Sequence, residues 1–180
     1  MDRRAHIKKL MALGAASVAP AALWAGTERS EKAAVKSERA FGYKRSVSHW
    51  TVDDLDWDDL CGWLAQEGVE AVDLVGPENW HHLKKHGLDS SMCNGAELNL
   101  VDGFIHEEFE GVLHERYSAM IPRVAKAGYE NLICFSGNRR GLSEEEGLEQ
   151  AVKALQPMVA LAEEHGVVLQ MELFNSIVDH

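Results

Sequence analysis

From Lys44 onward, short apolar runs alternate with longer stretches in which apolar residues recur three and four positions apart. KRSVSHW (44–50) predicts a first strand, after which Leu55, Leu60, Trp63 and Leu64 keep helical spacing up to Gly68. VEAVDLVG (69–76) predicts the second strand; Pro77 opens a helix through His86, closed by Gly87. LDSSMCNG (88–95) is the third strand candidate. A loop containing Gly103 leads into a helix from about 106 to 127 that stops at Gly128, and Pro122 inside it is expected to kink or split it. NLICFSGN (131–138) predicts the fourth strand. Ser143 and Glu146 form a capping box for a helix running to His165 and stopped by Gly166. VVLQMELFN (167–175) predicts the fifth strand.

Strands that alternate with helices and are mostly apolar on both faces predict an α/β fold, a parallel sheet with helices outside. Gly68, Gly87, Gly128 and Gly166 each stand between a helix and the next strand, where a left-handed stop is needed. The pace of some 30 residues per unit is that of a (β/α)8 TIM barrel, and a complete barrel needs roughly 250 residues. With 180 residues, the chain is expected to form a partial barrel of about five βα units with an apolar interior. A doubly wound open sheet would need a glycine fingerprint after the first strand, and SVSHWTVDD has no glycine.

The first 43 residues read differently. A basic head, MDRRAHIKK, precedes the small-residue apolar stretch LMALGAASVAPAALWAG, the shape of an export signal over residues 1–25. The Arg3-Arg4 pair makes it similar to a twin-arginine signal; an ordinary secretory signal or a retained anchor fits the same pattern. The stretch is too short and too weakly apolar for a comfortable membrane span. Residues 26–43 read as a charged, solvated linker, leaving 44–180 as the folded part and an exported, periplasmic or extracellular location as the expectation.

Charge sharpens the choice of partner. The formal net charge is −11; residues 1–25 hold four basic side chains against Asp2, a net of +3, which leaves −14 for the rest. So acidic a body repels phosphate backbones, which argues against nucleic acid and suits a small substrate. Cys61, Cys93 and Cys134 show no paired spacing, and the expectation is three buried free thiols.

In a parallel β/α barrel the chemistry sits at the C-terminal ends of the strands. The residues ending the predicted strands are His49 and Trp50, Pro77 and Glu78, Cys93 and Asn94, Ser136 to Asn138, then Glu172 and Asn175. Glu172 is the one ionised group in VVLQMELF, and a buried carboxylate must bind a cation, pair with a base or carry a proton. Hard oxygen ligands suit Mg2+ or Mn2+; a strand-end carboxylate facing water is the plainer alternative. His180 lies eight positions on. Trp50 would wall a pocket or join the core. His82 and His86 are at i,i+4 spacing but lack the metalloprotease pattern, and a solvated helix face is expected there. Glu144, Glu145 and Glu146 complement the helix macrodipole.

KRSVSHW, AVDLVGPENWHHLKKHGL, NLICFSGNRRGLSEEEGLE and GVVLQMELFNSIVDH run in order over residues 44–180. In these segments the chain resembles hydroxypyruvate isomerase-like proteins of the xylose isomerase-like TIM-barrel superfamily. The resemblance implies a divalent metal and proton transfer between adjacent carbons of a small hydroxy-carbonyl substrate or sugar by paired glutamates. It makes Glu172 both metal ligand and acid/base, and matches His180 to a histidine near the substrate and Asn175 to a polar position in the same segment; Trp50 joins them as a substrate contact from its strand-end position. The family's other ligands come from strands after the fifth, so the chain is expected to be C-terminally truncated, to bind no metal tightly and to be inactive alone. Ketose 3-epimerisation is the alternative reaction. A half-barrel serving as a binding or assembly module, dimerising through its open sheet edges, is the alternative to an enzyme.

Overall fold

The computed structural model describes residues 43–172. The expectations for residues 1–42, and for Asn175 and His180, lie outside the described residues. Within them, β1 (Ser46–Ser48), α1 (Trp57–Gln66), β2 (Ala71–Val75), α2 (Trp80–His86), β3 (Asp89–Cys93), α3 (Glu110–Ala127), β4 (Asn131–Cys134), α4 (Glu144–His165) and β5 (Val168–Met171) follow one another. The five strands form one parallel sheet in the order β1-β2-β3-β4-β5. Each strand lies beside its predecessor, the winding of a barrel and not of a doubly wound sheet. The fold is α/β, a partial TIM barrel.

Local chemistry sets the boundaries. The Asp56 side chain caps α1 by accepting from the Asp58 and Asp59 N–H groups at 2.9 and 3.2 Å. Ser143 and Glu146 close the expected capping box on α4. Gly68, Gly87, Gly128 and Gly166 all have φ between 68 and 84°, as the stop before each strand requires. Strands are shorter than the sequence predicts because their ends find other partners. β1 stops at Ser48, whose carbonyl accepts from Thr51 Oγ1 at 2.7 Å as His49–Thr51 turn into a 3-10 segment. β4 stops at Cys134 because the Phe135 and Ser136 carbonyls are taken by the Phe104 and Ile105 N–H groups of the preceding loop, at 3.2 and 3.0 Å.

Pro122 does not split α3, which runs unbroken to Ala127. Ile121 and Val124 on either side are sealed in the core, so packing outweighs the missing backbone donor. The core lies between the sheet and the helices: Val72, Val75, Cys93, Leu132 and Cys134 meet Leu60, Leu64, Leu83, Leu113, Tyr117 and Ile121. Cys61, Cys93 and Cys134 are buried free thiols, as expected. No helix among the described residues is long and apolar enough to cross a membrane.

The opposite face of the sheet, expected to be apolar, is mixed: Ile133 and Val168 share it with a run of polar side chains. Ser48 Oγ donates to Asp73 Oδ2 at 3.2 Å, and Ser91 Oγ donates to Asp73 Oδ1. Asn131 Nδ2 donates to the Ser91 carbonyl at 3.0 Å, and Gln170 Nε2 to Asn131 Oδ1 at 3.0 Å. Every strand thus contributes one polar side chain to a belt across the uncovered face. β2 bulges at this level, with register shifts around Asp73 and Leu74 at φ 59°.

Candidate functional site

Strand direction puts His49, Glu78, Asn94, Ser136 and Glu172 at the same, C-terminal end of the sheet. Glu172 extends β5 by one more rung, its N–H donating to the Cys134 carbonyl at 3.1 Å. Strand alternation gives it the face of Gln170, the polar uncovered one. Its side chain is exposed. The expected shortage of water around this carboxylate is therefore absent, because among the described residues nothing covers the outer edge of β5. Glu172 is a solvated carboxylate at the strand mouth.

Trp50 is 64% exposed in the 3-10 segment and enters neither the core nor the two cavities described below. Its neighbour His49 is the better-built residue. The His49 ring stacks on Trp57 at 4.0 Å and 9°, its Nε2 is buried without a hydrogen-bond partner, and burial lowers its pKa against the opposing pull of Asp53.

Two glycines and a buried histidine hold the mouth together between β3 and β4. A Cβ on Gly103 would come within 2.4 Å of the Phe135 carbonyl and the Ser136 backbone; one on Gly137, at φ 92°, would come within 2.6 Å of Gly103 N. His106, 5% exposed, accepts the Gly103 N–H on Nδ1 at 3.2 Å, so Nε2 carries the proton and donates to the Asn138 carbonyl at 2.8 Å. Arg140 pairs with Asp102 and donates to the Val101 carbonyl at 3.2 Å, tying the same two loops.

His82 and His86 do not form the solvated face expected of them. Asp58 Oδ1 takes His82 Nδ1 at 2.9 Å and His86 Nε2 at 3.2 Å, while Lys85 Nζ reaches Oδ2 at 2.5 Å. Lys85, then the two imidazoles, hold the Asp58 carboxyl far below the usual carboxylate range. This clamp between α1 and α2 was missed because residues 24 to 28 apart carry no local spacing signal. Asp73 was also missed, although a lone acid inside VEAVDLVG is the same signal that singled out Glu172.

Among the described residues no three His, Cys, Asp or Glu side chains are grouped so that they could hold a metal ion. Glu172 alone does not make a divalent site, since Mg2+ needs several oxygen ligands to replace water. The described residues do not fit the metal on their own.

Two cavities adjoin the sheet. One, of about 320 Å³, opens at the N-terminal ends of the strands beside Ser46, Ala71, Asp89 and Asn131. The other, of about 550 Å³, is an apolar groove between the β4–α4 loop, α4 and Met171.

No family model matches the chain, and no curated protein matches it. Solved structures do. An AP endonuclease of family 2 from Brucella melitensis aligns with TM-score 0.62 and 15% identity over 74% of this chain and 57% of its own. A D-psicose 3-epimerase, in a structure with D-fructose, aligns with TM-score 0.55 and 12% identity over 77% and 55%. An IOLI protein with a zinc atom aligns with TM-score 0.57 and 12% identity over 72% and 51%. These likenesses establish the fold, and the chain spans a little over half the length of the proteins it matches.

Proposed function

We propose that the chain is the N-terminal part of a xylose isomerase-like barrel enzyme that moves a proton between adjacent carbons of a small hydroxy-carbonyl compound or sugar. Glu172 is the carboxylate that takes or returns the proton. The observation that carries this reading is its position: an acid at the C-terminal mouth of β5, on the polar face of a sheet whose fold is shared with an epimerase. Carboxylates in that place serve as general bases when a C–H bond is polarised beside them. A divalent ion belongs to the reading with Glu172 as one ligand, and Asn175, His180 and Trp50 as substrate contacts.

The test is deuterium exchange from D2O into hydroxypyruvate, D-fructose and D-allulose, with Mn2+, Mg2+ or Zn2+ supplied. A protein carrying this chain together with three further βα units is expected to show exchange next to the carbonyl, lost in Glu172→Gln. The 180-residue chain alone is expected to show none. Exchange that survives Glu172→Gln would overturn the assignment. Likeness to a 3-epimerase favours a second reaction, and in the two ketoses the labelled carbon separates them: C1 for isomerisation, C3 for epimerisation, whereas hydroxypyruvate, labelled at its hydroxymethyl carbon, reports isomerisation alone. Export by residues 1–25 is part of the proposal; a reporter active only outside the cytoplasm, fused after residue 43, is expected to be active and to be silenced by Arg3→Lys with Arg4→Lys.

A further inference from the structure

The uncovered face of the sheet holds a carboxylate below its mouth, Asp73, and β2 departs from regular strand geometry to put it there. Val72 and Val75 are both sealed under the helices although they stand three apart, where strict alternation would turn one of them away. The bulge absorbs the extra residue, with Leu74 at φ 59°, a conformation that bulky side chains rarely take. Asp73 is thereby left on the polar side. Its Oδ2 accepts the Ser48 hydroxyl and its Oδ1 the Ser91 hydroxyl, so the flanking strands fix the plane of the carboxylate. No Lys or Arg pairs with it among the described residues. A carboxylate accepts about four hydrogen bonds, and this half-buried one has spent two on the serines. Pinning the strands together would need neither a charge nor a bulge, because paired hydroxyls do that on a regular sheet.

We propose that Asp73, Ser48 and Ser91 form a subsite that binds adjacent hydroxyl groups of a polyhydroxy compound, a sugar whose reacting carbons lie at Glu172. The surrounding belt selects this chemistry. Serine hydroxyls and the Asn131 and Gln170 amides both donate and accept, as a row of alcohols requires. An ammonium group would need acceptors alone, and an anion would meet the charge of Asp73. The belt also lies within reach of the mouth: Gln170 precedes Glu172 by two residues on the same face, about 7 Å along the strand. The choice of a sugar rests on the proposed reaction; the subsite itself does not. It divides the substrates of that reaction, because hydroxypyruvate has a single hydroxyl, which the reaction uses, and a carboxylate that Asp73 repels.

The test titrates the isotope-labelled 180-residue chain with D-fructose, D-allulose, hydroxypyruvate and glycerol, read by NMR. Both ketoses are expected to give saturable shifts at Ser48, Asp73 and Ser91, and hydroxypyruvate none there. Asp73→Asn should raise the ketose dissociation constant at least about tenfold, as the loss of hydrogen bonds to a charged group does. Ser48→Ala with Ser91→Ala keeps the carboxylate but frees it, and should raise the constant at least about threefold. That pair decides the matter if Asp73→Asn loses its native circular dichroism. Glu172→Gln should change the constant less than about twofold. No saturable shift, an affinity unchanged in the Asp73 or serine variants, hydroxypyruvate at the same residues, or glycerol bound as tightly as the ketoses would each overturn the proposal. Ketose binding at Asp73 without deuterium exchange in the longer protein would sink the reaction and leave the subsite standing.

Discussion

The two faces of this sheet follow different rules. Under the helices stand Val72, Val75, Cys93, Leu132 and Cys134, all sealed from solvent. On the other side stand Ser48, Asp73, Ser91, Asn131 and Gln170, joined by hydrogen bonds from strand to strand. In a closed barrel that second face is the interior, usually packed with branched aliphatic residues. Here it keeps a carboxylate clamped by two serines and ends, at the mouth, in Glu172. The covered face therefore carries stability, and the polar face is the one to which the proposed proton transfer belongs.

The sharpest way to break that division is on the covered face. Leu132→Ala removes a fully buried side chain of β4 from the core under the helices, and about 2–5 kcal/mol of stability should go with it in urea unfolding. A loss below about 1 kcal/mol would show that the covered face is not the core. Tyr117→Phe should cost less, about 1 kcal/mol, because it removes only the buried hydrogen bond from the Tyr117 hydroxyl to the Ile133 carbonyl at 2.8 Å.

Legibility in the sequence divides along the same line. The covered face was readable because burial leaves periodic traces: apolar runs, helical spacing, the Ser143–Glu146 capping box and four glycine stops all sit where they were expected. Boundaries were less readable. Nothing in NLICFSGN shows that Gly103 lets another loop take the Phe135 and Ser136 carbonyls. The polar belt was hidden in weak strands such as LDSSMCNG, whose serines look like poor strand formers until their partner Asp73 is known. At the mouth, Glu172 was found by its place in an apolar run, but its exposure depends on what stands beside β5, which no local pattern encodes.

Between the faces lies His49, and pH sharpens the comparison there. Burial favours its neutral form, so the folded pKa lies below the ordinary 6.5. Above 6.5 the residue is neutral in both folded and unfolded chains and has no pH-dependent effect. As pH falls below 6.5 the unfolded chain takes up the proton first, and stability drops until the folded pKa is passed. His49→Phe keeps a ring against Trp57 and should remove part of the fall in Tm below about pH 6.5. An unchanged pH slope would mean that the ring is not desolvated in solution. The three thiols report on the same burial: pushed up to about 11, 11 and 12 for Cys61, Cys93 and Cys134, they should resist a thiol reagent at pH 8 until denaturant is added.

The smallest expected effect is the most informative about the polar face. Glu172 is exposed and gives the fold only its backbone N–H, which a side-chain change leaves in place. Glu172→Gln should therefore shift stability by no more than about 0.5 kcal/mol, the range of a surface substitution. A silent Tm beside a lost deuterium exchange would separate chemistry from folding at this residue. A loss above about 1 kcal/mol would place Glu172 among the structural acids, with Asp58, and the polar face would lose its claim to be the working one.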